Sequence, residues 1–168
     1  GDYLIDQHAA HERIIFDKLN NDINQYEQTP QVLLEPIHLE LNAEQFEYFN
    51  ENESRLKAAG VIAEYFGDNS FLIRAIPQSI AVSGSRNFIE DLLFQLEDMQ
   101  SGIPNYSLIA TIACHSSIRA GQRLPMQEMV SLVRELENTT SPHTCPHGRP
   151  TVLELTNYLL ERSFGRAK

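Results

Sequence analysis

At 168 residues the chain is long enough for one ordinary core, or for two small lobes sharing a waist. Its composition, 42% hydrophobic and 21% charged, is that of a soluble globular protein, and no apolar run approaches the roughly 18–20 residues a bilayer demands. A net charge of −10, from 23 acidic against 13 basic side chains, excludes strong autonomous binding to nucleic acid, where affinity comes largely from Lys and Arg on phosphates. Any action on DNA would need delivery by a partner or a further domain. Two cysteines can close only one disulfide, so reduced thiols in a cytoplasmic setting are the expectation. No signal-peptide pattern is present.

Tyr3-Leu4-Ile5 reads as a short buried strand running into Asp6, a good helix N-cap because its carboxylate can accept from the first free backbone amides. A strand starting this early is expected to have neighbours in chain that precedes it. The helix should run from about Gln7 to Asn20 with Ala10, Ile14, Phe16 and Leu19 turned to the core. Residues 20–30 are polar and read as a linker. Ile37, Leu39 and Leu41 then alternate with polar residues as in a half-buried strand. Asn42 followed by Gln45 is a capping-box signature opening a helix that carries Phe46, Phe49 and Leu56 and closes at Gly60. Two β-rich runs, Val61 to Phe66 and Phe71 to Ile76, flank Gly67-Asp68-Asn69-Ser70 and predict a hairpin. A helix over Ser85 to Met99 follows, and Ser101-Gly102-Ile103-Pro104 breaks the chain.

The last third reads as helical. Tyr106 to Ala120 is apolar enough for a buried helix and carries Cys114. Pro125 suits the first turn of the next helix, with Met126, Met129, Val130, Val133 and Leu136 on one face. Residues 138–150 form a loop long enough to suggest function, and a helix over Thr151 to Arg162 completes the chain. If the two ends meet, the fold is α+β: a discontinuous lobe from residues 1–29 and 104–168, with residues 30–103 inserted as a smaller α+β lobe.

The chemistry-bearing residues sit at the two ends. His8 and Glu12 are i and i+4, so both project from one face of the first helix, and Asp6 lies just before its first turn. Cys145-Pro146-His147 offers two donors from one loop, and the other cysteine is Cys114. Thiols, imidazoles and carboxylates together make a candidate ligand set for one or two divalent metals, if the fold gathers them. Thiolates favour zinc, and carboxylate oxygens also suit manganese or magnesium. Plainer roles exist for each residue. His8 and His11 also suit a solvated helix face, Glu12 an ion pair, and Cys114 a core position. His38, His115 and His143 look incidental. The zincin, inverzincin and deaminase motifs all fail on order. No phosphate-binding glycine loop and no nucleophile elbow is present.

Asp6-Gln7-His8-Ala9-x-x-Glu12 resembles the endonuclease motif of the MutL mismatch-repair proteins, in their C-terminal domain. Ala113-Cys114, Cys145-Pro146-His147-Gly148-Arg149-Pro150 and Phe164-x-Arg166 resemble the family's other site motifs in the same order. The resemblance covers essentially the whole chain. It implies a homodimerising endonuclease that nicks one strand of duplex DNA, with Mn²⁺ (Mg²⁺ as a substitute) supporting activity and Zn²⁺ at a regulatory position. It implies Asp6, His8, Glu12, Cys114, Cys145 and His147 as metal-binding residues, with Asp6 and Glu12 catalytic. The motif's second glutamate is Asp17 here, with a reach about one methylene shorter. Arg149 and Arg166 are candidates for phosphate contact, or for structural ion pairs.

Gln31-Val32-Leu33-Leu34-Glu35-Pro36 resembles the family's Q-x-x-L-x-P peptide, which docks on the replicative sliding clamp. Gln31, Leu34 and Pro36 would be the contacts; read without the family, the segment is an ordinary strand entry. A clamp encircling DNA would answer the charge problem. The resemblance further implies an N-terminal ATPase domain outside this chain, a mismatch-recognition protein as partner, no membrane association, and a cytoplasmic, nucleoid-associated setting in a bacterium. The competing expectation is a MutL-like dimerisation module in which zinc only stabilises the fold. A small-molecule zinc hydrolase is a third, and it would need a deep pocket beside Cys145.

Overall fold

The computed structural model describes residues 1–21, 28–98, 107–119 and 121–166. In chain order its elements begin with β1 (Asp2–Ile5), α1 (Gln7–Asn21), β2 (Pro30–Glu40), α2 (Ala43–Glu51), α3 (Glu53–Ala58) and β3 (Ile62–Gly67). They continue with β4 (Ser70–Pro77), α4 (Gln78–Ser83), α5 (Ser85–Asp98), α6 (Ser107–Ser116), α7 (Met126–Glu137), β5 (Val152–Leu155) and α8 (Asn157–Ser163). The helices with antiparallel pairings are the expected α+β class.

Burial changes partner partway along α1. Ala10 and Ile14 are buried with Leu124, Leu132 and Leu136, whereas Ile15, Phe16 and Leu19 are buried with the residues of another core. The chain accordingly divides into one unit of residues 1–14 with 118–168, and a second of residues 15–117. The sequence pointed to junctions at 29/30 and 103/104, the latter outside the described residues. The observed junctions lie further out because the later turns of α1, and Leu108, Ile109 and Ile112 of α6, are buried in the core of the inserted unit. That unit is therefore the larger of the two.

In the unit built from the chain ends, β1 and β5 pair antiparallel with Leu4 opposite Leu153 and Ile5 opposite Val152. The helix expected over 151–162 begins later, at Asn157. Residues 152–155 are instead drawn out as a strand, giving the backbone groups of β1 a hydrogen-bonding partner. The Asp6 amide extends the junction by donating to the Thr151 carbonyl at 2.9 Å. Thr156 then caps α8, its hydroxyl accepting from the Leu159 amide at 3.2 Å. Tyr3 and Leu4, expected to be buried, are 60% and 55% exposed. On α7 the buried stripe is Leu132 and Leu136, one turn apart, while Met126, Met129 and Val130 face outward. Packing against Ala10 and Ile14 selects among the faces that periodicity alone leaves open.

The inserted unit is a three-stranded antiparallel sheet in the order β2-β4-β3, with β4 central and largely buried. Leu39, Phe49, Leu56, Ile73, Phe88 and Leu108 belong to its core. The predicted hairpin is present, its turn residues Asp68 and Asn69 at φ 47° and 55°, a region short polar side chains tolerate better than most. The single helix expected over 43–59 is broken at Asn52, which is buried and donates its side-chain amide to the Tyr48 carbonyl at 2.8 Å. The short α4 carried no periodic signal and was not expected. The linker expected over 20–30 lies largely outside the described residues, and the chain break expected at 101–104 lies wholly outside them.

The capping box is realised in both directions. The Asn42 side chain accepts from the Gln45 amide at 2.8 Å, and the Gln45 side chain accepts from the Asn42 amide at 2.9 Å. Replacing Asn42 with alanine removes one half of this exchange and is expected to cost about 1 kcal/mol of stability. Urea denaturation would measure it, with Asn42→Asp near wild type. An unchanged midpoint for the alanine variant would refute the role.

Candidate metal centre

The first turn of α1 is organised as the sequence predicts. Asp6 Oδ1 accepts from the backbone amides of His8 at 2.9 Å and Ala9 at 3.1 Å. The carboxylate is thereby held at the positive end of the helix, where negative charge is favoured. One turn on, Glu12 is only 1% exposed. A buried carboxylate is costly unless met by donors or cations. Here it faces two imidazoles: His8 Nε2 lies 3.7 Å from Glu12 Oε2, and His147 Nδ1 lies in contact with Glu12 Oε1.

The loop carrying His147 is tied down by its own backbone. The Cys145 amide donates to the Arg149 carbonyl at 2.8 Å, and the Gly148 amide to the Cys145 carbonyl at 2.9 Å. The Arg149 amide is directed at Cys145 Sγ, 3.4 Å away. This tight turn needs Gly148 at φ 81°, where a side chain would be strained. Thr144 and Pro150 form a bridge across its base, and the buried Thr151 hydroxyl donates to the Pro142 carbonyl. Cys145 is buried as a result.

Glu12, Cys145 and His147 converge: one donor atom from each lies within 4.8 Å of the others. Opposite ends of the chain thus meet around an oxygen, a sulfur and a nitrogen. This donor set suits zinc and, through its oxygen, a harder cation. The residues fit a divalent metal by chemistry and by spacing.

Of the other residues singled out from sequence, Asp6 and His8 flank this cluster on the same helix. Cys114 is half-buried on α6 of the inserted unit, where its carbonyl accepts from the Ser117 hydroxyl at 2.8 Å. Asp17 is buried further along α1. Gln31, Leu34 and Pro36 lie on β2, with a register shift between Val32 and Ile37 and with Leu34 fully exposed. Arg149 is exposed on the Cys145 loop, and Arg166 is exposed beyond α8.

Three residues in or next to the first motif have roles that the sequence did not disclose. Gln7 Nε2 donates to the carbonyls of Arg119 at 3.1 Å and Gln122 at 2.6 Å. His11 Nδ1 accepts from the Ile118 amide at 2.8 Å. Arg13 Nε donates to the Thr144 carbonyl at 2.7 Å, which anchors the Cys145 loop to α1. Their targets are backbone atoms more than a hundred positions away, which carry no residue-type signature.

Fold and site together define an α+β domain with a metal-competent donor cluster at the start of its first long helix. The family model described as the MutL C terminal dimerisation domain matches residues 1–124, and the chain belongs to that family. It is 39% identical over 98% of its length to a DNA mismatch repair protein MutL of Clostridium acetobutylicum, covering 27% of that protein. It is 38% identical to the protein of the same name from Clostridium tetani, also over 98% of this chain and 27% of the relative. For the Clostridium botulinum protein (strain Loch Maree) the identity is 35%, over 98% of this chain and 25% of the relative. The chain spans about a quarter of the length of these curated relatives. No helix among the described residues is long and apolar enough to cross a membrane.

Proposed function

We propose that this chain is the C-terminal domain of a mismatch-repair protein that nicks one strand of duplex DNA in a metal-dependent, clamp-activated reaction. The observation that carries the reading is the meeting of Glu12, Cys145 and His147 within 4.8 Å, with Glu12 on the helix that carries His8 and is capped by Asp6. Asp6, His8, Glu12, Cys114, Cys145 and His147 would hold the metals, with Zn²⁺ at the sulfur-bearing position and Mn²⁺ or Mg²⁺ as the catalytic ion. When bound, a divalent metal polarises a phosphoryl oxygen and activates water for attack at phosphorus. The protein's part is positional. Asp6 is pinned by the helix amides, Glu12 is enclosed away from solvent, and Arg149 and Arg166 offer exposed cations for phosphate oxygens.

Two surfaces support the rest of the reading. The fully exposed Leu34, on an edge strand with Gln31 and Pro36, suits a peptide that docks on the sliding clamp. This supplies the delivery to DNA that a chain of net charge −10 requires. In the unit built from the chain ends, Leu4, Leu153, Tyr158 and Phe164 expose apolar surface that a second copy of the chain would cover. An ATPase domain and a mismatch-recognition protein would complete the system, in the cytoplasm.

A purely structural zinc site in a dimerisation module is the competing reading, favoured by the fact that Asp6 already serves as a helix cap. Metal titration separates the two. A second ion bound at millimolar Mn²⁺ supports the nuclease, and a single tight zinc supports the module. The direct test uses full-length protein, Mn²⁺ and supercoiled plasmid, with and without clamp loaded on the DNA. Nicking stimulated by the clamp is expected, as is loss of that stimulation in Leu34→Ala. Stimulation that survives the substitution would overturn the clamp assignment, and absence of nicking under every metal would overturn the nuclease.

A further inference from the structure

The two units do not share the net charge. In the unit of residues 1–14 with 118–168, Lys and Arg balance Asp and Glu at eight each. The whole surplus of −10 therefore falls on the inserted unit. A polyanion meets far less repulsion from the unit where cations equal anions.

Two of those cations stand on a segment that the first motif holds in place. Gln7 Nε2 carries two protons and donates to the carbonyls of Arg119 at 3.1 Å and Gln122 at 2.6 Å. His8 Nδ1 lies 2.8 Å from the Ile118 carbonyl oxygen, and His11 Nδ1 accepts from the Ile118 amide at 2.8 Å. The Gln122 amide closes a turn onto the Arg119 carbonyl at 3.2 Å, with Gly121 at φ 84°. Leu124 is then buried with Ala10 and Ile14. Between the Gln7 contact and that buried anchor stands Arg123, exposed and with no side-chain partner among the described residues. At the neighbouring position the Asp6 amide holds the Thr151 carbonyl at 2.9 Å, two residues after the exposed Arg149. Two arginine-bearing segments are thus tied to consecutive residues at the start of α1.

We propose that residues 118–124 form an arm for the DNA backbone, with Arg123 contacting a phosphate and Gln7 as the positioning residue that holds the arm. The inference rests on the reading of this domain as a DNA-nicking enzyme. A guanidinium offers paired N–H groups that match phosphate oxygens. A backbone already fixed by Gln7 and Leu124 loses little further freedom on binding, so more of that contact appears as affinity.

The test measures nicking of supercoiled plasmid by the full-length protein with Mn²⁺, over a range of salt concentrations. Arg123→Gln is expected to raise KM for the plasmid about tenfold with kcat near wild type. It should also make the slope of log(kcat/KM) against log[salt] shallower by about one. Arg123→Lys keeps the charge and should recover most of both. Arg86, in the inserted unit and paired with Glu90 at 3.7 Å, is the control: Arg86→Gln removes the same formal charge and should change neither. Gln7→Ala should raise KM as well, and its effect should largely vanish in the Arg123→Gln background, because coupled residues are not additive. If Gln7→Ala does not fold, Gln7→Met, of similar length and without a donor, replaces it. Unchanged KM and slope in Arg123→Gln, or equal changes in Arg86→Gln, overturn the phosphate contact and leave the nuclease reading standing. Additive effects of the Gln7 and Arg123 substitutions overturn the positioning role. A wild-type protein that nicks under no metal overturns both the arm and the nuclease reading.

Discussion

Replacing Asp6 with asparagine is expected to lower Mn²⁺-dependent nicking by the full-length protein by on the order of a hundredfold, with α1 still formed. The substitution separates two functions of one side chain. Asp6 Oδ1 accepts from the amides of His8 and Ala9, and asparagine caps helices about as well as aspartate. The amide oxygen of the variant can take over both bonds. What disappears is the negative charge, together with an anionic oxygen available to a cation beside Glu12. Asp6→Ala should lose activity and also about 1 kcal/mol of stability, because it removes the cap as well. Thermal unfolding by circular dichroism and a plasmid-nicking assay on the same samples would separate the effects. Undiminished nicking by Asp6→Asn would remove Asp6 from the chemistry.

The second large effect concerns the paired strands at the chain ends. Leu4 and Leu153 are directly opposite each other in the β1–β5 ladder, so they share a face. Val152, on the other face, packs against the cluster of Ile14, Leu132 and Leu136. Leu4 and Leu153 consequently point away from that core, and each is 55% exposed. Apolar surface of this kind, in a unit that also exposes Tyr158 and Phe164, marks a contact site more often than a solvated face. The double variant Leu4→Glu with Leu153→Glu places two carboxylates side by side there. On an isolated chain the change is mild. In a dry interface between two copies, unpaired charges cost several kcal/mol, enough to raise a dimer dissociation constant about a thousandfold. Light scattering after size exclusion should give a dimer mass for the wild type and a monomer mass for the double variant. A variant that remains dimeric at micromolar concentration would place the interface elsewhere.

Local signals carried much of this molecule. Asp6 as a cap, the Asn42–Gln45 box, the hairpin about Asp68 and Asn69, and the core face of α1 all depend on residues within one or two turns of each other. Their types and spacing are written directly in the chain. So was the α+β class, and so was the ordered set of motifs by which the family resemblance could be stated. The charge of −10 already argued against strong autonomous binding to nucleic acid.

Other features depend on partners distant in sequence, and only the tertiary structure decided them. Residues 152–155 have no strong preference of their own and became a strand because β1 offered an unpaired edge. Met126, Met129 and Val130 share an apolar pattern with Leu132 and Leu136, and contact with Ala10 and Ile14 chose which of them were buried. Gln7, His11 and Arg13 act on backbone atoms, which every residue possesses, so no motif could announce them. The convergence of Glu12 with Cys145 and His147 is the same kind of fact. Spacing along a chain specifies which side chains share a helix face, but the free energy that brings residue 12 to residue 147 comes from packing and pairing summed over elements far apart in the chain.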